Sequence, residues 1–179
     1  MRRRLSAALA IAVCTLSGAA AYQHTRSGGE GWREIAWPFP RDGWPAGRAF
    51  HCDVKACGEE VELYVRPKIG FCNCDSGVAD DDEVDRVADL DLMSDRFVPL
   101  EPGVVTQIAD MHGRLRAYDL AMSDGSRHAA VGIAVSHRCD LLVAVAQGNA
   151  DAPAVQRAAL AFLGTGDMAR WMMSAMNGG

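Results

Sequence analysis

The chain has 179 residues, 49% of them hydrophobic, and 18 Lys and Arg against 23 Asp and Glu give a formal net charge of −5. That acidity argues against nucleic-acid or anionic-membrane binding, both of which need positive charge on the protein. The length is that of one ordinary domain, able to bury roughly 70% of its unfolded surface without relying on cross-links.

Met1-Arg2-Arg3-Arg4 is a short basic start, followed by an apolar run over residues 5–16 and small residues through Ala19-Ala20-Ala21. This is the three-part layout of a cleavable export signal with an A-x-A cleavage site. The apolar run, about a dozen residues, is shorter than the roughly 20 of a spanning helix, which weighs against an uncleaved anchor. Val13 ahead of Cys14 does not suit a lipoprotein site, and the basic region is short for twin-arginine export. Cleavage after Ala21 removes three arginines and brings the formal charge to −8. The expected layout is a signal peptide over residues 1–21, a flexible lead-in with an aromatic and proline arm over 22–46, and an α+β domain over 47–179. The expected location is periplasmic or secreted, with no membrane span after cleavage.

Residues 22–31 are rich in Gly and Ser and have no apolar face to bury. In the arm, Trp32, Ile35 and Ala36 suggest the start of a short helix, which Pro38, Pro40 and Pro45 then stop. Its aromatic residues Trp32, Trp37 and Trp44 either pin the arm to the body or line a partner surface. Residues 47–52 and 59–66 read as strands. In the second, Val61, Leu63 and Val65 alternate with Glu60, Glu62 and Tyr64, the period of a half-buried strand. Residues 53–58 make the hairpin turn and 67–77 a loop.

Asp80 is placed to cap a helix running to about Asp89, with Glu83 three residues on, as in a capping box, and Val84, Val87 and Ala88 as its apolar face. Short strands follow at 97–100 and 104–109. Then comes an antiparallel meander of three strands, 115–122, 128–136 and 141–147, with a turn at Ser123-Asp124-Gly125 and a break at 137–140. Asp151 and Pro153 open a largely buried helix that Gly164 ends. Asp167 caps a last helix, Met168 to Met176, terminated at Asn177. The fold class is α+β: one domain, an antiparallel sheet and helices packed on it.

Reaction motifs are missing. Gly164-Thr-Gly-Asp-Met-Ala169 matches G-x-G-x-x-A but follows a helix, whereas a dinucleotide fingerprint follows a strand. There is no G-x-S-x-G, H-E-x-x-H or C-x-x-C, and no catalytic residue is assigned.

Five cysteines follow the leader: Cys52, Cys57, Cys72, Cys74 and Cys139. In an oxidising compartment they pair, and an odd number leaves one over. A Cys72–Cys74 bridge spans a single residue and is strained, so bonds from the first hairpin to the loop after it are expected. Cys139 either pairs with one of the other four or, beside His137 and Arg138, is a reactive thiol. The sharper alternative is a Zn²⁺ or Cu⁺ site or a thiol-redox centre built on the same cysteines, with His51 as a helper. The working expectation is no cofactor. The run Asp80-Asp81-Asp82-Glu83 invites calcium but lacks the order of a calcium loop, and helix capping explains it more simply. Met168, Met172 and Met176, with Trp171 and Met173 beside them, make one soft apolar face that serves core packing, a partner surface or, through thioethers, Cu⁺.

Three stretches, Trp37-Pro-Phe-Pro-Arg-Asp-Gly-Trp-Pro-Ala-Gly-Arg48, Leu63-Tyr-Val-Arg-Pro-Lys-Ile-Gly-Phe-Cys-Asn-Cys74 and Asp81-Asp-Glu-Val-Asp-Arg86, resemble a group of uncharacterised secreted or periplasmic proteobacterial proteins. The resemblance implies an envelope location and brings no activity. The order of strands, mid-chain helix, meander and late buried helix is similar to the PsbP/Mog1-like α+β sandwich, a likeness of element order that carries no function. The functional expectation is a non-catalytic envelope protein: a disulfide-stabilised binding or assembly module that meets another envelope protein or a small ligand. The metal or thiol-redox protein stands as the alternative. No sequence feature speaks to oligomeric state.

Overall fold

Eight strands form one antiparallel sheet, β7 and β8 as apolar runs buried on both faces: β1 (Trp32–Ile35), β2 (Arg48–Cys52), β3 (Val61–Lys68), β4 (Phe97–Pro99), β5 (Val104–Ile108), β6 (Met111–Ala121), β7 (Arg127–His137) and β8 (Asp140–Gly148). The computed structural model describes residues 29, 31–40, 42–70 and 73–177. The expected export signal and most of the glycine-rich lead-in lie outside the described residues. Gly31–Gly179 forms one compact unit.

The strand order is β1-β2-β3-β8-β7-β6-β4, with β5 also paired to β6. The meander expected in the second half is β6, β7 and β8. The two halves of the chain join where β3 runs antiparallel to β8, from Val61 opposite Gly148 to Lys68 opposite Leu141. Trp32–Ile35 is an edge strand rather than the start of a helix, with Trp32 opposite Cys52 and Ile35 opposite Ala49. The partner strand and the stacking of Trp32 on Phe162, ring centroids 4.7 Å apart, override the weak local helix signal. At the far side, β4 and β5 lie along the same edge of β6 and are separated by a break at residues 100–103.

Helices cover both faces. Helix α1 (Val54–Cys57) is one turn set in the β2–β3 connection, and α2 (Asp81–Val87) precedes a 3-10 turn at Leu90–Leu92. Helices α3 (Ala152–Leu163) and α4 (Gly166–Met176) close the chain. The caps follow the expected chemistry in two cases: Asp80 accepts the Glu83 N–H at 2.9 Å and Asp151 accepts the Ala154 N–H at 2.8 Å. The cap of α4 is Thr165, whose hydroxyl accepts the Met168 N–H. Asp167 therefore sits inside the first turn, where its charge still opposes the positive end of the helix dipole.

One face of the sheet packs Leu63, Val65, Ile133 and Leu142 against Val155, Ala159 and Leu163 of α3 and Met168, Met172 and Met176 of α4. The other packs Val143, Val145, Tyr118 and Leu120 against Val84, Val87 and Leu90. Each fully buried side chain of this kind contributes roughly 1.5–3 kcal/mol. Gly132 permits the second contact: a Cβ there would lie 2.9 Å from the Ala88 methyl and 3.1 Å from the Tyr118 ring. Among the described residues, no helix is long and apolar enough to cross a membrane.

Candidate functional site

The cysteines pair as Cys52–Cys57 and Cys74–Cys139, with Cα separations of 6.1 and 4.3 Å. The first hairpin is not bonded to the loop after it. Cys52 ends β2, and the single turn of α1 brings Cys57 back beside it. The loop after β3 is instead tied to the tight β7–β8 turn, where Arg138 adopts φ 58° and Cys139 follows it. Cys139 is thus a bonded turn residue, not a reactive thiol. Cys72 lies outside the described residues. With four thiols in disulfides, the soft-metal alternative loses its ligand set, and among the described residues no three His, Cys, Asp or Glu side chains are grouped to hold a metal ion.

The acidic run at α2 is spent on structure. Asp81 accepts the Gly103 N–H at 2.8 Å and the Arg114 guanidinium at 2.6 Å. Those two partners, the Gly103 N–H first, hold its carboxyl below the usual carboxylate range. Asp85 accepts from Arg116 at 2.8 Å and from the Tyr118 hydroxyl at 2.6 Å. Of the four carboxylates that suggested calcium, Asp80 caps α2 and Asp81 anchors it to β6 and to the 100–103 break; Asp85, outside that run, adds a second tie to β6.

The aromatic arm folds over β3. Trp37 and Phe39 pack edge-on against Tyr64, with centroids 6.1 and 4.8 Å away. Beneath the arm lies a buried ion cluster that the sequence did not announce. Arg66 donates Nε and Nη2 to Asp89 at 2.6 and 2.8 Å, and Nη1 and Nη2 to Asp42 at 2.9 and 2.6 Å. Lys68 donates to Asp89 at 2.6 Å and to the Val87 carbonyl at 2.9 Å. Burial works against the Arg66 charge, but the carboxylates of Asp89 and Asp42 outweigh it and raise its pKa. Asp42, hydrogen-bonded to Arg66, is held down to about 2. The cluster locks the arm and the α2 exit to the sheet. Of the other residues singled out by sequence, Trp44 lies 5.8 Å from the Lys68 ammonium. Trp171 stands 5.2 Å from the Arg48 guanidinium, and Met168, Met172 and Met176 are buried against the sheet. The three methionines offer no surface in this fold.

An open cleft lies elsewhere, at the end of the sheet where α3 begins. Helix α3 packs on β7, β8 and β3, while α4 packs on β8 and β3, so the outer strands are left less covered. The 100–103 break keeps the edge away from them. Its carbonyls at Glu101 and Gly103 accept from Arg116 and Arg114, and a Cβ at Gly103 would stand 2.4 Å from Asp81 Oδ1. The result is a cleft of about 450 Å³ with a floor of small residues, Ala117, Ala129, Ala150 and Ala152, and a wall at Leu100 and Pro153. Glu101, Asp119, Arg127, His128, Asn149, Asp151 and Gln156 supply its polar groups. Arg127 closes on Asp119 as an ion pair. Volume, small apolar floor and convergent polar rim are those of a small-ligand site. None of these residues was singled out by sequence as a site. The signals present were Leu100, more than half exposed, and the Pro102-Gly103 break between two strand-forming runs.

No protein-family model matches the chain, and no curated protein matches it. Among solved structures, it is similar to a protein of unknown function from Pseudomonas aeruginosa, at 15% identity and TM-score 0.39, over 75% of this chain and 80% of that one. It is also similar to cyanobacterial PsbP (CyanoP) from Synechocystis sp. PCC 6803, at 14% identity and TM-score 0.41, over 74% and 77% of the two chains. Likenesses this distant assign no function.

Proposed function

We propose that this chain is an exported, non-catalytic binding module whose disulfide-braced sheet presents one small-ligand cleft between α3 and the β4–β6 edge. The observation that carries the reading is the cleft itself: about 450 Å³, floored by alanines and rimmed by carboxylate, guanidinium and amide groups. That is a recognition set, with fixed polar groups around an apolar floor. Two disulfides fit an oxidising compartment, which supports the envelope or secreted location expected from the basic and apolar leader. Met168, Met172 and Met176 are buried against the sheet, so the reading rests on a ligand site and not on a sticky helix.

The test is ligand screening of the mature protein by amide chemical shifts, with Ala117→Phe as a variant that fills the cleft from a half-buried strand position. Hits should shift residues 117, 129, 150 and 156, and should be lost in the variant at an unchanged unfolding midpoint. Hits that map elsewhere, or that survive Ala117→Phe, overturn the reading.

A further inference from the structure

The charge and shape of the cleft select among ligands. Three carboxylates, Glu101, Asp119 and Asp151, line the cleft together with one guanidinium, Arg127, and one imidazole, His128. Arg127 is matched by Asp119. Glu101 and Asp151 line the cleft from different elements, the edge break and the start of α3. Asp151 caps α3 through one oxygen, and the helix dipole, equivalent to about half a charge, offsets only part of what remains. The acidic chain adds a long-range field of the same sign. Two carboxylates on separate elements beside an alanine-lined cleft suit a linear cation with ammonium groups at both ends, joined by aliphatic carbons. On strand spacings of roughly 4.8 Å, the two to three spacings from the edge beside β6 to β8, which leads into α3, come to about 10–15 Å.

Resting on the cleft being the ligand site, we infer that it takes a small linear polyamine. A basic polypeptide is the competing occupant, and the edge beside the cleft is built against it. An added strand needs a continuous row of free backbone groups. Here Pro99 has no N–H, and the edge is interrupted at 100–103 with its carbonyls engaged by Arg114 and Arg116.

The experiment is calorimetric and amide-shift titration of the mature protein with spermidine, and with 1,6-hexanediol, adipate and tetralysine as probes of different charge or class. Glu101→Gln and Asp151→Asn remove charge, and Asn preserves the cap. Spermidine should saturate with shifts confined to the cleft. It should weaken roughly tenfold for each carboxylate removed, since charge-assisted hydrogen bonds are worth about that much, and weaken further with salt. Equal binding of hexanediol, preferential binding of adipate, tighter binding of tetralysine, or indifference to both substitutions overturns the polyamine assignment while leaving the cleft as a site. If none of the four probes shifts cleft residues and a wider screen finds no hit sensitive to Ala117→Phe, the binding-module reading falls with it.

Discussion

The two disulfides should differ in worth by about a factor of two, and the direction of that difference follows from topology. Cys74 and Cys139 are 65 residues apart, whereas Cys52 and Cys57 are 5 apart. If a bond acts by removing loop-closure entropy from the unfolded chain, the long loop is worth about 4 kcal/mol and the short one about 2 kcal/mol. The perturbation is the paired substitution Cys74→Ala with Cys139→Ala, set against Cys52→Ala with Cys57→Ala. Alanine is preferred because Cys52 is fully buried and a serine there would add the cost of an unpaired hydroxyl. At about 2–4 °C per kcal/mol for a chain of this size, the first pair should lower Tm by roughly 8–16 °C and the second by roughly 4–8 °C. Thermal and urea unfolding followed by tryptophan emission are the assays, since Trp32, Trp37, Trp44 and Trp171 are all half-buried. If the short bond proves worth as much as the long one, or loss of the long one costs under about 1 kcal/mol, the bracing assigned to Cys74–Cys139 is wrong.

Three further outcomes are expected. Asp89→Ala strands the buried Arg66 and Lys68 with one fewer carboxylate and should cost about 3–5 kcal/mol in urea unfolding; Asp42→Ala, whose side chain is more exposed than that of Asp89, should cost less. Asp42 has its carboxyl depressed from 3.8 to about 2, so its stabilisation is complete above about pH 4 and is lost as pH falls toward 2. Urea midpoints measured from pH 5 to 2 should show that loss, and Asp42→Asn should flatten part of it. Met172→Ala opens a cavity between α4 and the sheet and should cost about 2–5 kcal/mol, whereas an effect within about 0.5 kcal/mol, the level of a surface site, would contradict its burial.

Features that act within a few residues could be read before the fold was known. Asp80 and Asp151 announce their helices because a cap needs only a carboxylate three residues ahead of a free N–H. The β6–β7–β8 meander shows through because its turns are short and its strands long. Errors fell where a second segment decided the outcome. Trp32–Ile35 is a strand only because Ala49–Cys52 lies beside it. Thr165 and Asp167 are both chemically fit to cap α4, and the backbone bend after Gly164 selects the first. The cysteine partners were out of reach for the same reason. Cys139 meets Cys74 because β8 pairs with β3, a contact that joins the two halves of the chain.

The candidate site was hidden for a further reason. Arg66 and Lys68 fall on the polar side of an alternating strand, the side a sequence reader assigns to water; the arm and the α2 exit folded over them turn those charges into a buried lock. The cleft inverts this. Its floor is alanine, a residue read as core filler, and its walls come from the edge break, β6, β7 and the start of α3. It exists because α3 and α4 cover β3 and β8 and stop short of the outer strands, and because three side chains, Asp81, Arg114 and Arg116, hold the edge open. A cavity made by where helices end leaves no motif. If that is right, substitutions at Asp81 or Arg114, which do not line the cleft, should change ligand affinity through the 100–103 break, whereas Asp42, on the arm and paired with Arg66, should change stability and leave affinity alone.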